Sequence, residues 1–261
     1  MNRVIESGSI RKQSDMKLYS YQVEILDKSC MEELTLFQES VYKKMADKSI
    51  YAPFAAPLML NNFGLKGITL GLRVQGDIKG FISFHFPGPS QDNFGRDVGL
   101  VEEELDKVVH WDHCLIHPDF RGNSMQERMG LLLVKTAADM NRYYRYMFAT
   151  VSPQNYPSLH QLLLQQNMLV VSMKIKYGNL LRLILFQDIL NPLRVEAYSA
   201  VSINCGDLPS MADLLERGYY GYNVKQGEKG IEIIFAKGET REMTINDRKE
   251  SSSFRVKKQS F

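Results

Sequence analysis

The sequence predicts an α/β fold in which helices flank a central sheet of mixed strand direction. Strand-type and helix-type runs alternate along most of the chain, which is typical of a sheet covered by helices. Two β-type runs, ITLGLRV and IKGFISFHF, are separated only by Gln75, Gly76 and Asp77, and so short a separation indicates an antiparallel hairpin. Antiparallel and parallel neighbours are therefore both expected in one sheet.

The remaining elements follow in chain order. A first strand is predicted in KLYSYQVEILD, after which Ser29 and Glu32 match a capping box at the start of a helix. A strand is predicted in VVHWDHCLI and a helix over residues 124–142, where apolar residues recur at helical spacing. A strand, a short helix and one or two further strands are predicted in RYMFATVS, PSLHQLLLQQ and LVVSMKIKYGNLLRLILFQD.

The chain is expected to divide into four segments. Residues 1–16 are polar and mixed in charge, so a flexible N-terminal segment is expected there. Residues 17–190 hold the main α/β domain. Residues 191–240 hold a small C-terminal unit with the order βαββ, whose helix runs from about Leu208 to Arg217 and stops at Gly218. Residues 241–261 are predicted to be a polar tail.

Composition narrows the class of protein. Apolar residues make up 44% of the chain and charged residues 24%, as in an ordinary globular protein. The formal net charge of +2 gives no strong field toward nucleic acid or an anionic membrane, so neither is expected as a partner. The sequence has neither an apolar run of the roughly 18 residues that a membrane helix needs nor a signal-peptide pattern, and a cytoplasmic location is expected.

Four residues around the VVHWDHCLI stretch are of types that bind zinc, namely His110, His113, Cys114 and His117. In a helix they would share one face at spacings suited to the metal. In a strand, His110 and Cys114 lie on one face while His113 and His117 lie on the other. The β-branched residues that open the stretch favour the strand, and no metal site is predicted.

The stretch HPDFRGNSMQER allows two interpretations, and the residues alone do not choose between them. In a capped helix, Ser124 caps the first turn, Glu127 closes the capping box and Gly122 supplies a turn with positive φ. In an anion cradle, the same helix start presents unpaired N–H groups, and Arg121 adds a guanidinium suited to phosphate oxygens.

Two motifs resemble those of the GNAT N-acetyltransferase superfamily. The run HWDHCLIHPDFRGNSMQERMG resembles its acyl-CoA-binding motif, although Ser124 and Gln126 stand where small residues are usual. The run TVSPQNYPSLHQLLLQQNM resembles the next motif of the family, with Asn155 and Ser158 at the matching spacing. The matching residues of the first motif are Ile116, Pro118, Arg121 and Gly122.

The resemblance implies a GNAT-like mixed sheet over roughly residues 17–190 and acetyl-CoA or coenzyme A as the cofactor. Backbone N–H groups of the Arg-Gly loop would hold the pyrophosphate, and the pantetheine arm would follow the preceding strand. Ser124 suits this role if its φ stays negative, and the Gln126 side chain must point away from the phosphates. The residues expected to bind the cofactor are Leu115, Ile116, His117, Arg121, Gly122, Asn123, Ser124, Met125, Gln126, Glu127, Asn155 and Ser158.

The resemblance also implies the catalytic residues. Family members often place a base on the strand before the loop, which corresponds to His110, with Asp112 two residues on and on the same face. A neutral imidazole can accept the proton that an attacking amine loses, and Asp112 can orient it or act through water. The tyrosine acid of the family falls at Leu162, so no acid is carried over. Cys114 is expected to pack rather than to attack.

The sequence therefore predicts an acetyl-CoA-dependent N-acetyltransferase that moves an acetyl group directly to a primary amine of a small molecule or peptide. A catalytically weak or inactive CoA-binding sensor or interaction module is the alternative, because the acid and two small positions are missing. A homodimer is compatible with both. The acidic stretch 102–106 is interpreted as a solvated helical turn, with a lid that attracts a cationic amine as the alternative.

Overall fold

The computed structural model describes residues 3–54 and 56–239, and the polar tail predicted over 241–261 lies outside them. The helices and strands are, in chain order, β1 (Arg3–Arg11), β2 (Leu18–Leu26), α1 (Met31–Lys43), α2 (Ala56–Met59), β3 (Gly67–Val74), β4 (Asp77–His85), α3 (Glu102–Leu105), β5 (Val108–Ile116), α4 (Met125–Asp139), β6 (Tyr146–Val151), α5 (Tyr156–His160), β7 (Leu169–Lys176), β8 (Leu180–Asp188), β9 (Val201–Asn204), α6 (Leu208–Glu216), β10 (Tyr219–Gly227) and β11 (Gly230–Lys237).

The chain forms two compact units. Of the described residues, the first unit comprises those up to Phe86 and Trp111–Tyr143, and the second comprises Pro87–His110 and those from Tyr144 onward, so β5 begins in the second unit and ends in the first. Strands follow the order β1-β2-β3-β4-β5 in the first unit and β6-β8-β7-β10-β11-β9 in the second. Most of these pairings are antiparallel. The predicted α/β class, a central sheet flanked by helices, is confirmed.

The hairpin predicted at residues 75–77 is present in the first unit. Strands β3 and β4 pair from Val74 and Asp77 outward, so that the turn consists of two residues. Gln75 has a φ of 54° and Gly76 a φ of 90°. Positive φ at both positions is the type I′ geometry, whose twist matches that of the flanking strands. The turn residues thus fix the register of β3 on β4.

The core of the first unit joins helix α1 to the sheet. Leu34, Phe37 and Val41 recur on one face of α1 and belong to one buried cluster with Phe81 of β4 and Leu115 of β5. The rings of Phe37 and Phe81 meet edge to face, with centroids 6.1 Å apart. Full burial of such a side chain contributes about 1.5–3 kcal/mol. This cluster therefore fixes the C-terminal half of β5, which carries most of the predicted site.

The prediction that residues 1–16 form a flexible segment is wrong for residues 3–11, which form β1 on the edge of β2. Ile10 is buried, while Glu6 accepts hydrogen bonds from the Tyr21 hydroxyl and the Arg128 guanidinium. In this edge strand Ile10 is the buried residue, Ile5 and Glu6 are half-buried, and the other six residues are exposed. The polar composition therefore gave no indication of this strand, which tertiary contacts stabilise.

The capping box predicted at Ser29 is also wrong. A 3-10 turn, Lys28–Cys30, precedes α1, and it is Asp27 whose side chain accepts the backbone N–H of Ser29. Cys30 occupies the N-cap position of α1 and makes no side-chain cap hydrogen bond. The helix thus begins two residues later than Ser29, because the preceding turn already satisfies the local donors.

The second unit contains the C-terminal order βαββ, formed by β9, α6, β10 and β11 as predicted. Strand β10 pairs with β7 at Gly221 and Val170, so the C-terminal strands continue the sheet of this unit. The domain boundary between residues 190 and 191 stays a prediction. Gly218 ends α6 with a φ of 79°, as expected of a helix stop. Among the described residues, no helix is long and apolar enough to cross a membrane.

Candidate active site

Residues Val108–Ile116 form strand β5, as the sequence predicts. The helical arrangement that a zinc site in this stretch would require is therefore wrong. Across residues 3–54 and 56–239, no three His, Cys, Asp or Glu side chains are grouped to hold a metal ion. Burial raises the pKa of Cys114 to about 12, which leaves a protonated thiol suited to packing rather than to nucleophilic attack.

Asp112 carries a buried carboxyl group in the first unit. The Asn62 side chain donates a hydrogen bond to it, whereas its Oδ2 has no hydrogen-bond partner in the part of the chain that the structure describes. Burial raises the pKa of Asp112 to about 7, an effect that the Asn62 hydrogen bond only partly opposes. A group with a pKa near neutrality can accept a proton in one step and return it in another.

Asn62 anchors Asp112 to the neighbouring strands. The Asn62 Nδ2 donates to Ser83 Oγ at 3.0 Å, and the Asn62 carbonyl accepts from Thr69 Oγ1 at 2.7 Å. Its Oδ1 is buried and, like Asp112 Oδ2, lacks a partner among the described residues. Native proteins rarely leave such atoms unpaired. Two orphan acceptors on hydrogen-bonded side chains are complementary to a group that carries several N–H donors, as an amine does.

His113 is a second buried polar side chain on this part of β5. Its Nδ1 lies 3.2 Å from the Tyr51 hydroxyl oxygen, while its Nε2 has no partner within the described ranges. Burial lowers the pKa of His113 to about 3, so the ring is neutral at physiological pH. Sequence reasoning considered His113 only as a metal ligand and missed Asn62 and Tyr51, because both lie in the irregular segment between α1 and β3.

His110, the predicted base, lies in the second unit and is 2% exposed. Its Nε2 accepts the backbone N–H of Phe94 at 3.1 Å, and its ring stacks on the Phe94 ring at 3.9 Å. A neutral imidazole has one acceptor nitrogen, so Phe94 already occupies the lone pair that a base would use. The assignment of His110 as the base stays a prediction, and this geometry argues against it.

Arg121 follows the 3-10 turn Pro118–Phe120 at the end of β5. Its Nε donates to the carbonyl oxygen of Ile116 at 3.2 Å. Within residues 3–54 and 56–239 its two terminal nitrogens donate no hydrogen bond. Desolvation lowers the pKa of Arg121, but a guanidinium stays charged at neutral pH. The side chain therefore offers two cationic donors, tethered at one end, to a ligand such as phosphate.

The turn before α4 has the backbone of an anion-binding nest. Gly122 and Ser124 have φ values of 75° and 53°, with Asn123 between them outside the positive region. This alternation turns successive N–H groups to one side. The positive φ predicted at Gly122 is confirmed. The capping box of Ser124 with Glu127 and the negative φ expected at Ser124 are both wrong, because Ser124 is left-handed and makes no cap hydrogen bond.

The tip of the β1–β2 hairpin holds this turn in place. Asn123 Oδ1 accepts the backbone N–H of Arg11 at 3.0 Å, and Asn123 Nδ2 donates to the Arg11 carbonyl at 2.8 Å. The Gln13 side chain donates to the carbonyl of Arg121 at 2.9 Å, and the Gln13 N–H donates to the Asp119 carbonyl at 2.7 Å. Two of these bonds engage carbonyl groups of the turn and two engage the Asn123 side chain, so none of them occupies the N–H groups of Gly122, Asn123 or Ser124.

The other predicted cofactor residues of the first unit flank this turn. Leu115 and Ile116 are buried at the end of β5. His117 donates its N–H to the Lys79 carbonyl at 2.8 Å, and its Nδ1 accepts the N–H of Asp119 at 3.2 Å. Desolvation lowers the pKa of His117. The first turn of α4 contains Met125, which is buried, and Gln126 and Glu127, which are half-buried.

Asn155 and Ser158 belong to the second unit, where Asn155 is the N-cap residue of a helix and Ser158 lies in its first turn. Asn155 Oδ1 accepts the N–H of Ser158 at 3.3 Å at the start of α5. Their assignment to the cofactor stays a prediction.

Leu162, at the position of the family's tyrosine, is buried. The predicted helical turn in the acidic stretch is α3, where Glu102 pairs with Arg96.

No protein-family model matches the chain, and no curated protein matches it. Among solved structures, Arabidopsis thaliana NAA60 in complex with acetyl-CoA is similar, with a TM-score of 0.50 and 11% identity over 66% of this chain and 99% of that chain. FeeM, an N-acyl amino acid synthase from uncultured soil microbes, is similar with a TM-score of 0.50 and 12% identity over 66% of this chain and 91% of that chain. At these identities the likeness is one of fold. The chain has the fold of the GNAT N-acetyltransferases.

Proposed function

We propose that the protein is an acyltransferase that moves an acetyl group from acetyl-CoA directly to a primary amine. The observation that carries the proposal is the buried Asp112 carboxyl group with its unpartnered oxygen, on the strand that leads into the cationic Arg121–Ser124 turn. An anion-binding turn and a proton acceptor on one strand are the two parts that amine acylation by an acyl-CoA requires. The fold shared with NAA60, whose structure contains acetyl-CoA, supports this assignment.

Coenzyme A fits the residues of the turn. The two terminal nitrogens of Arg121 and the N–H groups of Gly122 and Asn123 would hold the pyrophosphate, because they combine positive charge with hydrogen-bond donors. Ser124, whose φ is positive, does not meet the condition under which its N–H was expected to take part. The flanking residues would follow the pantetheine arm as the sequence predicts. When bound, acetyl-CoA supplies an activated thioester. The chain must then supply only positioning and a proton acceptor.

The proposed reaction proceeds in one substitution. The Asp112 carboxylate takes a proton from the substrate ammonium, and the free amine attacks the thioester carbonyl. A C–N bond forms, the C–S bond breaks, and the sulfur leaves as a thiolate. The second proton of the nitrogen neutralises the thiolate, giving the amide and free coenzyme A. Asp112 acts at a pKa of about 7, a value suited to proton exchange near neutral pH.

A CoA-binding sensor without turnover is the second candidate. Three observations favour it: His110 has its acceptor nitrogen engaged by Phe94, the family's acid position holds buried Leu162, and Ser124 adopts a strained backbone conformation. Both candidates bind coenzyme A. Only the enzyme releases its thiol.

The first experiment separates these candidates. Purified protein is heated with and without coenzyme A, and both candidates predict a higher melting temperature with the ligand, since binding to the folded state alone is stabilising. Thiol release from acetyl-CoA is then followed with a panel of primary amines. The enzyme predicts release that Asp112→Asn reduces by about 100-fold or more, with coenzyme A binding unchanged. Absence of thermal stabilisation contradicts both candidates.

The phosphate cradle has its own test. Arg121→Glu should weaken coenzyme A binding by at least about tenfold, because it replaces a charge-assisted donor with a repelling anion. Glu127→Ala is the matched control, and we expect it to change the affinity by less than about threefold, since a contact of Glu127 with the cofactor would use its backbone and its carboxylate has no donor to offer a phosphate. Equal losses in calorimetric titrations would show that the cradle is misassigned.

A further inference from the structure

A chain of buried hydrogen bonds runs from α1 to β5 in the first unit. Gln38 of α1 is 2% exposed and His113 of β5 is 3% exposed, and Tyr51 lies between them. The Tyr51 hydroxyl is 2.9 Å from Gln38 Oε1 and 3.2 Å from His113 Nδ1. None of these three residues has a role in the proton transfer proposed above.

Backbone contacts fix the orientation of the Gln38 amide. The Phe54 N–H donates to Gln38 Oε1 at 3.2 Å, and Gln38 Nε2 donates to the Phe54 carbonyl at 2.9 Å. The amide cannot be flipped, because a flip would pair donor with donor and acceptor with acceptor. Oε1 is therefore the acceptor that faces Tyr51, and the single hydroxyl hydrogen of Tyr51 points toward Gln38.

This orientation determines the tautomer of His113. Since the Tyr51 hydrogen is committed to Gln38, the Tyr51 oxygen can only accept from His113, and Nδ1 must carry a hydrogen. Burial keeps the ring neutral, so Nε2 bears a lone pair. In the residues that the structure describes, this Nε2 has no hydrogen-bond partner. A buried unpaired acceptor is destabilising, and a hydrogen-bond donor on a ligand would satisfy it.

The imidazole is also held by aromatic rings. The Phe54 ring meets it edge-on with centroids 4.1 Å apart, and the rings of Tyr51 and Phe81 lie with centroids at 5.8 Å. The ring therefore has a fixed position and a fixed tautomer before any ligand binds. Preorganisation of this kind lowers the entropic cost of binding a ligand at Nε2.

We infer that His113 Nε2 accepts a hydrogen bond from an N–H donor of a substrate, with Gln38 and Tyr51 as positioning residues that set its tautomer. The inference deepens the proposed function, on which it rests, by adding a substrate-binding residue that follows Asp112 along β5. Two sources provide N–H donors: the amino group of the acceptor and the amide groups of the coenzyme A arm. The amino group is the assigned donor, because it carries several hydrogens whereas each amide carries one, and because Tyr51, which contacts His113, is also within electrostatic range of Asp112.

Imidazole 15N NMR of the full-length protein tests the inference without relying on turnover. In the free protein we expect His113 to show a protonated Nδ1 and an unprotonated Nε2. Titration with methylamine, the simplest primary-amine probe, should shift the Nε2 resonance, whereas coenzyme A alone should not. A shift with coenzyme A alone would assign the donor to the cofactor arm and overturn the assignment to the amine. A protonated Nε2, or no response to either probe, would overturn the inference entirely.

Variants provide the second arm. Tyr51→Phe removes the partner of Nδ1, so we expect the KM for methylamine to rise about tenfold, the effect of one lost hydrogen bond, with the Kd of coenzyme A unchanged. Tyr42→Phe is the matched control, because Tyr42 is a neighbouring tyrosine that does not bond His113. An unchanged KM in Tyr51→Phe contradicts the inference. Failure of thiol release in the wild-type protein, with the expected tautomer present, would instead contradict the proposed function.

Discussion

At the residue scale, the central feature of the candidate site is the buried carboxyl group of Asp112. Burial raises the pKa of Asp112 from its ordinary 3.8 to about 7. Between those values the folded protein retains a proton that the unfolded chain has lost, so the free energy of unfolding falls as pH rises through this window. Above pH 7 the carboxyl group is ionised in both the folded and the unfolded state, so its contribution to the free energy of unfolding stays constant.

Asp112→Asn should therefore stabilise the protein increasingly with pH. The variant has no charge to bury, and its free energy of unfolding relative to wild type should grow by roughly 4 kcal/mol between pH 4 and pH 8. Urea unfolding at several pH values measures the difference. Asp92→Asn, at an exposed position, is the control for the same change of residue type. A flat profile for Asp112→Asn would mean that the carboxyl group is solvated.

At the element scale, the turn before α4 shows which structural features can be predicted from local sequence patterns. The strand, the helix and the glycine of the Arg-Gly turn were predictable, because alternation, helical spacing and positive φ all leave local signatures. The conformation of Ser124 was not predictable, since the residue types of Ser124 and Glu127 match a capping box. Long-range bonds from Arg11 and Gln13 hold the turn, and local patterns cannot report contacts over 100 residues of sequence.

The candidate site also contains residues that were predicted and residues that were missed. Asp112 and the Arg121 turn were predicted because they lie on one regular strand and the turn that follows it. Tyr51 and Asn62 were missed, because the segment between α1 and β3 has no periodicity that could place its side chains. His110 was assigned from the family resemblance, and a resemblance does not reveal that Phe94 occupies its acceptor nitrogen.

The left-handed Ser124 yields a test of the helix start. A non-glycine residue in this region costs about 1–2 kcal/mol, so Ser124→Gly should raise the free energy of unfolding by roughly 0.5–1 kcal/mol after the entropy of glycine is subtracted. Coenzyme A affinity should be retained. Asn141→Gly, with a φ of 54° just beyond α4, is the control and should change stability less, because Asn tolerates this conformation. A lower free energy of unfolding in Ser124→Gly would contradict the left-handed conformation of Ser124.

At the scale of the whole molecule, charge determines how an anionic cofactor is attracted. The chain has 32 basic and 30 acidic residues, and the net charge of +2 gives little long-range field. Attraction for coenzyme A must then come from local cations, of which Arg121 has two unoccupied nitrogens among the described residues. Many other basic side chains, such as Arg217 with Asp213, are neutralised by a partner.

Salt dependence of coenzyme A binding should consequently depend on one residue. Raising NaCl from about 0.01 to 0.1 M shortens the screening length from about 30 to 10 Å, and we expect the wild-type Kd to rise by roughly two- to fivefold. Arg121→Gln should bind more weakly at low salt and lose most of this dependence, since the screened charge is gone. Arg217→Gln should retain the wild-type slope. An Arg121→Gln slope equal to that of wild type would show that other cations hold the phosphates, and the turn before α4 would then serve the fold rather than the ligand.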